Sequence, residues 1–114
     1  MVAQFIEAKE DVPCFDLVTI GNVPLGGGLS SSASLEVATA TFVESLTGNP
    51  VAKLDKVLMC QRAEHVFAHV PCGIMDQYIS TFGVANHALL IDCMNQRAEN
   101  VRMDDPNVAV VITS

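Results

Sequence analysis

The hydrophobic positions change their period at a run of glycines. Phe15 to Val23 (FDLVTIGNV) is β-rich and partly alternating, which reads as a strand, and it leads directly into Pro24 and the consecutive glycines Gly26, Gly27 and Gly28. After the serines Ser30, Ser31 and Ser32, the chain to Leu46 holds neither Gly nor Pro, and Leu35, Ala38, Phe42 and Leu46 fall on one face of a predicted helix. Thr47-Gly48-Asn49-Pro50 stops it. A second helix is predicted over Lys53 to Ala68, closed by the Pro71-Cys72-Gly73 turn, and a short third one from Met75 toward Phe82. His87 to Cys93 and Val108 to Thr113 read as strands, and the polar stretch between them has room for another at Glu99 to Met103. The class is mixed α/β, a two-layer arrangement with helices packed on a mixed sheet.

Length limits this to one domain at most, because 114 residues lie at the low end of the roughly 100–200 typical of a domain. Half of the residues are hydrophobic and the mean hydropathy is +0.37. That is high for a chain with little interior in which to bury apolar surface. The excess, and a last hydrophobic segment that runs to Ser114, lead us to expect part of a larger domain or an obligate partner.

No apolar run approaches the ~20 residues of a membrane helix, and the start lacks a signal-peptide pattern, so a cytoplasmic protein is expected, with no membrane partner. Cys14, Cys60, Cys72 and Cys93 form no C-x-x-C pair and are expected to be reduced and mostly buried. Six Lys and Arg against thirteen Asp and Glu give a formal charge of -7, without a basic run, which argues against nucleic acid as a partner. A phosphate-bearing ligand would have to be met by backbone N–H groups, a helix dipole and a metal.

The glycine-serine loop suits such a ligand. A strand that turns through glycines into a helix aims unpaired N–H groups and the positive end of the helix dipole at one place. Gly26, Gly27 and Gly28 let a phosphate approach the backbone, and serine hydroxyls at the helix start can bond phosphate oxygens or a magnesium ion. Familiar glycine motifs do not fit. No Lys follows as a Walker loop requires, Ser31 replaces a glycine of the dinucleotide fingerprint, and Ser32 replaces one of a nucleophile elbow. Spacing alone leaves an anion site and a tight turn with serine caps both open.

Two carboxylates stand out downstream. Val57, Cys60, Glu64 and Phe67 share a helical stripe that reads as core-facing, so a buried Glu64 would need a cation or good donors, while a solvent-exposed glutamate at a domain edge is the alternative. Asp76 opens the third helix, where a carboxylate is favoured by the dipole and could equally be only a cap. His65 and His69 have the i, i+4 spacing of a metal pair but no third ligand, and are read as structural. His87, at the start of a strand, has no assigned chemistry.

The segment PLGGGLSSSA, Pro24 to Ala33, resembles the second motif of the GHMP small-molecule kinases, P-x-x-x-G-L-x-S-S-A, with matches at Pro24, Gly28, Leu29, Ser31, Ser32 and Ala33. AEH at Ala63 to His65 and PCGIMDQ at Pro71 to Gln77 resemble the corresponding segments of the galactokinases within that family. The resemblance implies an ATP-phosphate loop formed by Pro24, Gly26, Gly27, Gly28, Leu29, Ser30, Ser31, Ser32 and Ala33. It further implies Mg2+ held by Ser32 and Glu64, Asp76 as the catalytic base toward galactose, and Gly73 as a further sugar contact. The implied activity is ATP-dependent phosphorylation of the anomeric hydroxyl, by a protein that is monomeric at full length.

The resemblance spans most of the chain but corresponds to only part of such an enzyme's N-terminal domain. The family's sugar-binding Glu-His-x-Asp segment and its C-terminal domain are not among these 114 residues, so the chain alone is expected to be inactive. The alternatives are a non-catalytic sugar and ATP sensor that regulates a partner protein, an N-acetylgalactosamine kinase, and a truncated product without independent function.

Overall fold

A computed structural model describes residues 1–8 and 11–113. Helix α1 spans Val2–Glu7, α2 Ser31–Thr47, α3 Lys53–Ala63 and α4 Met75–Phe82; a five-residue π-helical turn, Glu64–Ala68, extends α3. Strands β1 (His87–Asp92) and β2 (Arg97–Arg102) form an antiparallel hairpin in which His87 faces Arg102 and Asp92 faces Arg97.

Local chemistry accounts for the bounds of α2. Ser30 adopts the left-handed conformation (φ 57°) immediately before the first helical residue, and Gly48 does so at the other end (φ 74°), where its N–H donates to the Glu44 carbonyl. Thr39, Thr41, Ser45 and Thr47 each donate a hydroxyl to the carbonyl four residues earlier, which occupies side chains that would otherwise compete with the helix from outside it. In the hairpin, the Asp92 carboxylate accepts from the Met94 and Asn95 N–H groups and from Asn95 Nδ2, shaping the turn. These bonds hold the Asp92 carboxyl below its ordinary range.

The core lies between α1, α2 and α3. Phe5, Val37, Ala40, Val43 and Cys60 form it, with Met1, Val2, Val12, Phe42, Val51 and Met59 packed around it. Helix α1 has no counterpart in the sequence reading, being only six residues long, too short for a periodic pattern to emerge. The buried face of α2 also differs from the one expected. Ala33, Val37, Ala40 and Val43 are inside, whereas Leu35, Ala38 and Leu46 are exposed and Phe42 is half-buried. At the far end of α2, Glu44 ties the helix to α3 by accepting from Lys56 Nζ at 2.7 Å and from the Val51 N–H at 2.9 Å.

Two expected strands do not form. Residues 15–23 and 108–113 make no ladder with any described residue, and most of their apolar side chains face solvent, Ile20 at 97% exposure and Val111 at 80%, while Phe15 packs edge-on against Phe42. β-propensity reflects packing against neighbouring strands, and here none is present to pair with. The only sheet among the described residues is the hairpin, not a mixed sheet. The third expected strand, Glu99 to Met103, is observed as the larger part of β2.

The cysteines are all free thiols among the described residues, but only Cys60 is buried; Cys72 is partly buried, and Cys14 and Cys93 are exposed. Burial pushes the Cys60 thiol up to about 12, which makes it an inert core group. No helix among the described residues is long and apolar enough to cross a membrane.

Candidate functional site

The glycine-rich loop runs exposed from Pro24 to Leu29. Gly26 (φ 71°), Gly28 (φ 69°) and Ser30 (φ 57°) are all left-handed, and this succession folds the chain back into α2. Glycine accepts that geometry without a steric cost, whereas Ser30 accepts it as a single residue. No side chain caps α2. The serine-capped turn left open by spacing is therefore not what forms, and no side chain takes up the first-turn N–H groups at the positive end of this 17-residue helix. Ser32 is exposed in that turn, while Ala33 points inward at 0% exposure. Beside the loop, a cleft of about 600 Å³ runs between residues 17–25 and α2, with Leu17, Ile20, Leu35, Ala38 and Phe42 in its walls.

Glu64 is buried, at 7% exposure, where the π-helical turn begins. Of the stripe expected to face the core, Val57, Cys60 and Glu64 do so, whereas Phe67 is 51% exposed because the wider π turn carries it outward. The donor that Glu64 requires comes from Gln77, whose Nε2 donates to Glu64 Oε2 at 3.2 Å and also to Glu36 Oε2 at 3.3 Å. Glu36 lies one helical turn after Ser32 on α2. Burial raises the Glu36 carboxyl to about 7; the Gln77 hydrogen bond opposes the rise and the neighbouring Glu64 adds to it. Neither carboxylate has a Lys or Arg partner among the described residues.

Asp76 stands half-buried in the first turn of α4. The loop before it is pinned at Cys72, whose carbonyl accepts from Gln61 Nε2 at 3.2 Å and from His65 Nε2 at 2.8 Å, while its N–H donates to the Val70 carbonyl. His65 thus serves as an anchor, and His69 is an exposed left-handed residue that ends the π turn (φ 57°). Gly73 is exposed, with nothing within 4 Å of the position a Cβ would occupy. Behind Asp76, Tyr78 is buried and donates its hydroxyl to the Gln96 carbonyl at 2.6 Å, docking α4 on the hairpin turn.

The packed helices α2, α3 and α4 therefore bring together the elements that bear Ser32, Glu64 and Asp76. Residues 1–84 match the family model for the GHMP kinases N terminal domain. The chain belongs to the GHMP kinase family. It is 53% identical to bovine galactokinase and 52% identical to human galactokinase, each over 103 residues that make up 90% of the chain and 26% of the relative. The chain thus spans about a quarter of the length of these relatives. A crystal structure of Lactococcus lactis galactokinase complexed with galactose superimposes with a TM-score of 0.78 at 25% identity, covering 99% of this chain and 32% of that one.

Glu36, Gln61 and Gln77 were not singled out by the sequence. Glu36 could have been, since it follows Ser32 by four residues; Gln77 had only its place beside Asp76 as a signal. Among the described residues, no cluster of three or more His, Cys, Asp or Glu side chains forms a metal site by itself. The oxygens at hand are the exposed Ser32 hydroxyl, the half-buried Glu36 carboxyl and the buried Glu64 carboxylate, neither of the last two paired with a Lys or Arg among the described residues. A hard, oxygen-seeking ion that keeps some water and binds phosphate, such as Mg2+, fits that donor set.

Proposed function

We propose that this chain carries the ATP-phosphate, metal and general-base elements of a galactokinase, acting in the cytoplasm on ATP and galactose. The observation that carries the reading is the shared hydrogen bonding of Glu36 and Glu64 to Gln77, which joins the helix beginning at the glycine-serine loop to the helix bearing Asp76. The galactokinase relatives supply the substrate class.

In this reading the loop from Pro24 to Ala33 receives the ATP phosphates through the uncapped N–H groups of α2. Ser32 and Glu64 would hold Mg2+, which when bound neutralises charge on the β- and γ-phosphates. The Gly73 N–H orients the sugar. Asp76 aligns the anomeric hydroxyl and accepts its proton as the sugar oxygen bonds to the γ-phosphorus and the bond to the ADP oxygen breaks, giving galactose 1-phosphate and ADP. The sugar-binding segment and the C-terminal domain belong to the rest of such an enzyme, and phosphoryl transfer depends on positioning, so the 114-residue chain binds nucleotide without turning it over.

Calorimetry of the chain with ATP and Mg2+, alongside an assay for galactose 1-phosphate, tests this. Binding that weakens in Ser32→Ala and Glu64→Gln, with no turnover, is expected. No binding, or binding indifferent to both substitutions, refutes the site; robust turnover refutes the partial assignment.

A further inference from the structure

Gln77 is 1% exposed, and its amide is turned so that the NH2 group faces the Glu36 and Glu64 carboxylates while Oε1 is left buried without a partner. A position needed only for packing would be better filled by Leu or Met, which bury no unpaired carbonyl. Gln77 donates to Glu64, and the Glu36 carboxyl hydrogen-bonds to Glu64 beside it. Gln77 grips one oxygen of each carboxylate, Oε2, so that a single amide links the two groups. As a neutral donor it adds no charge of its own to the pair; a Lys here would put a positive charge in the place of a metal cation.

We propose that Gln77 is the positioning residue of the metal site, holding the Glu36 and Glu64 carboxylates in fixed relation to each other and to the helix on which Asp76 precedes it. The inference rests on the proposed role of Glu64 as a metal ligand. One amide gathers groups from α2, the π turn and α4, so a shift of any of these elements moves the metal oxygens relative to the base. Outer-shell partners of this kind typically change metal affinity by about 10–100-fold when removed.

The test uses the 114-residue chain, with Mn2+ as a paramagnetic substitute for Mg2+. ATP affinity is measured with Mn2+ and with chelator, and bound Mn2+ is followed by electron paramagnetic resonance. Gln77→Met keeps the length of the side chain and removes the donor; Gln77→Glu replaces it with a third carboxylate. Gln77→Met is expected to weaken Mn-ATP binding by about tenfold or more and to alter the Mn2+ spectrum, with metal-free ATP affinity unchanged. Gln77→Glu should do at least as much harm.

Equal Mn-ATP binding by wild type and Gln77→Met, or equal losses with and without metal, overturns the role of Gln77. A wild-type chain that binds ATP equally with and without Mn2+ overturns the metal reading of Glu64, and this inference with it. Should Gln77→Met fail to fold, Glu36→Leu is added to remove the carboxylate left without its donor. Recovery of cooperative unfolding then supports the proposal, and no recovery overturns it.

Discussion

His65 Nε2 lies 2.8 Å from the carbonyl oxygen of Cys72, fastening the π-helical turn to the loop that precedes Asp76. Gln61 occupies the same carbonyl at 3.2 Å, so losing one donor loosens the loop without freeing it. His65→Ala is expected to cost about 1 kcal/mol in urea unfolding and to speed amide exchange from Gly73 to Asp76. Metal-free ATP affinity, which the glycine loop sets, should not change. The Gln61→Ala/His65→Ala pair should lose more than the sum of the single variants, because only then is the carbonyl left without either side-chain donor.

Glu36 makes stability depend on pH. Burial, its leading cause, raises the carboxyl from 4.5 to about 7 in the folded chain, so folding favours the protonated form. Its contribution is complete below pH 4.5 and is lost as pH rises through about 7. The midpoint of thermal unfolding should therefore fall between about pH 5 and about pH 8, and Glu36→Gln should flatten most of that slope. An equally steep slope in the variant would mean that other groups cause it.

Two glycines should resist substitution for different reasons. At Gly28 the space is open but φ is 69°, so Gly28→Ala is expected to cost about 1 kcal/mol through backbone strain and to weaken ATP binding by redirecting the loop. At Gly83 a Cβ would sit 2.6 Å from the Ile79 carbonyl oxygen, and Gly83→Ala is expected to cost about 1–3 kcal/mol by displacing the end of α4. Denaturant melts with and without ATP separate the two, since only the first should change ligand affinity directly.

Glu44 and Lys56 are each 12% exposed and meet at 2.7 Å. Glu44→Ala also strips the acceptor from the Val51 N–H, and should cost about 2–3 kcal/mol. Screening is weak for a pair this enclosed, so raising the salt should not abolish the difference in melting temperature. The exposed Arg62–Glu7 pair, at 3.4 Å, supplies the contrast: Arg62→Ala should cost well under 1 kcal/mol.

The amino-acid pattern by itself determined the local elements and the chemistry they carry. A run without Gly or Pro between Ser31 and Leu46 makes α2, and Gly26 and Gly28 make the left-handed loop before it, because period and backbone preference are properties of neighbouring residues; the stripe of Val57, Cys60 and Glu64 left the burial of the carboxylate open. Only the tertiary structure decided which face of α2 is covered, for that depends on where α1 and α3 dock; Phe5 settles against Val37 and Val43 while Leu35 is left outside. The same holds for the strands that did not form, since a β-rich segment needs a partner that its own letters do not supply. It holds most of all for the meeting of Glu36, Glu64 and Gln77. Glu36 and Gln77 are 41 positions apart, and a hydrogen bond over that span arises from packing of the helices, to which no periodicity along the chain refers.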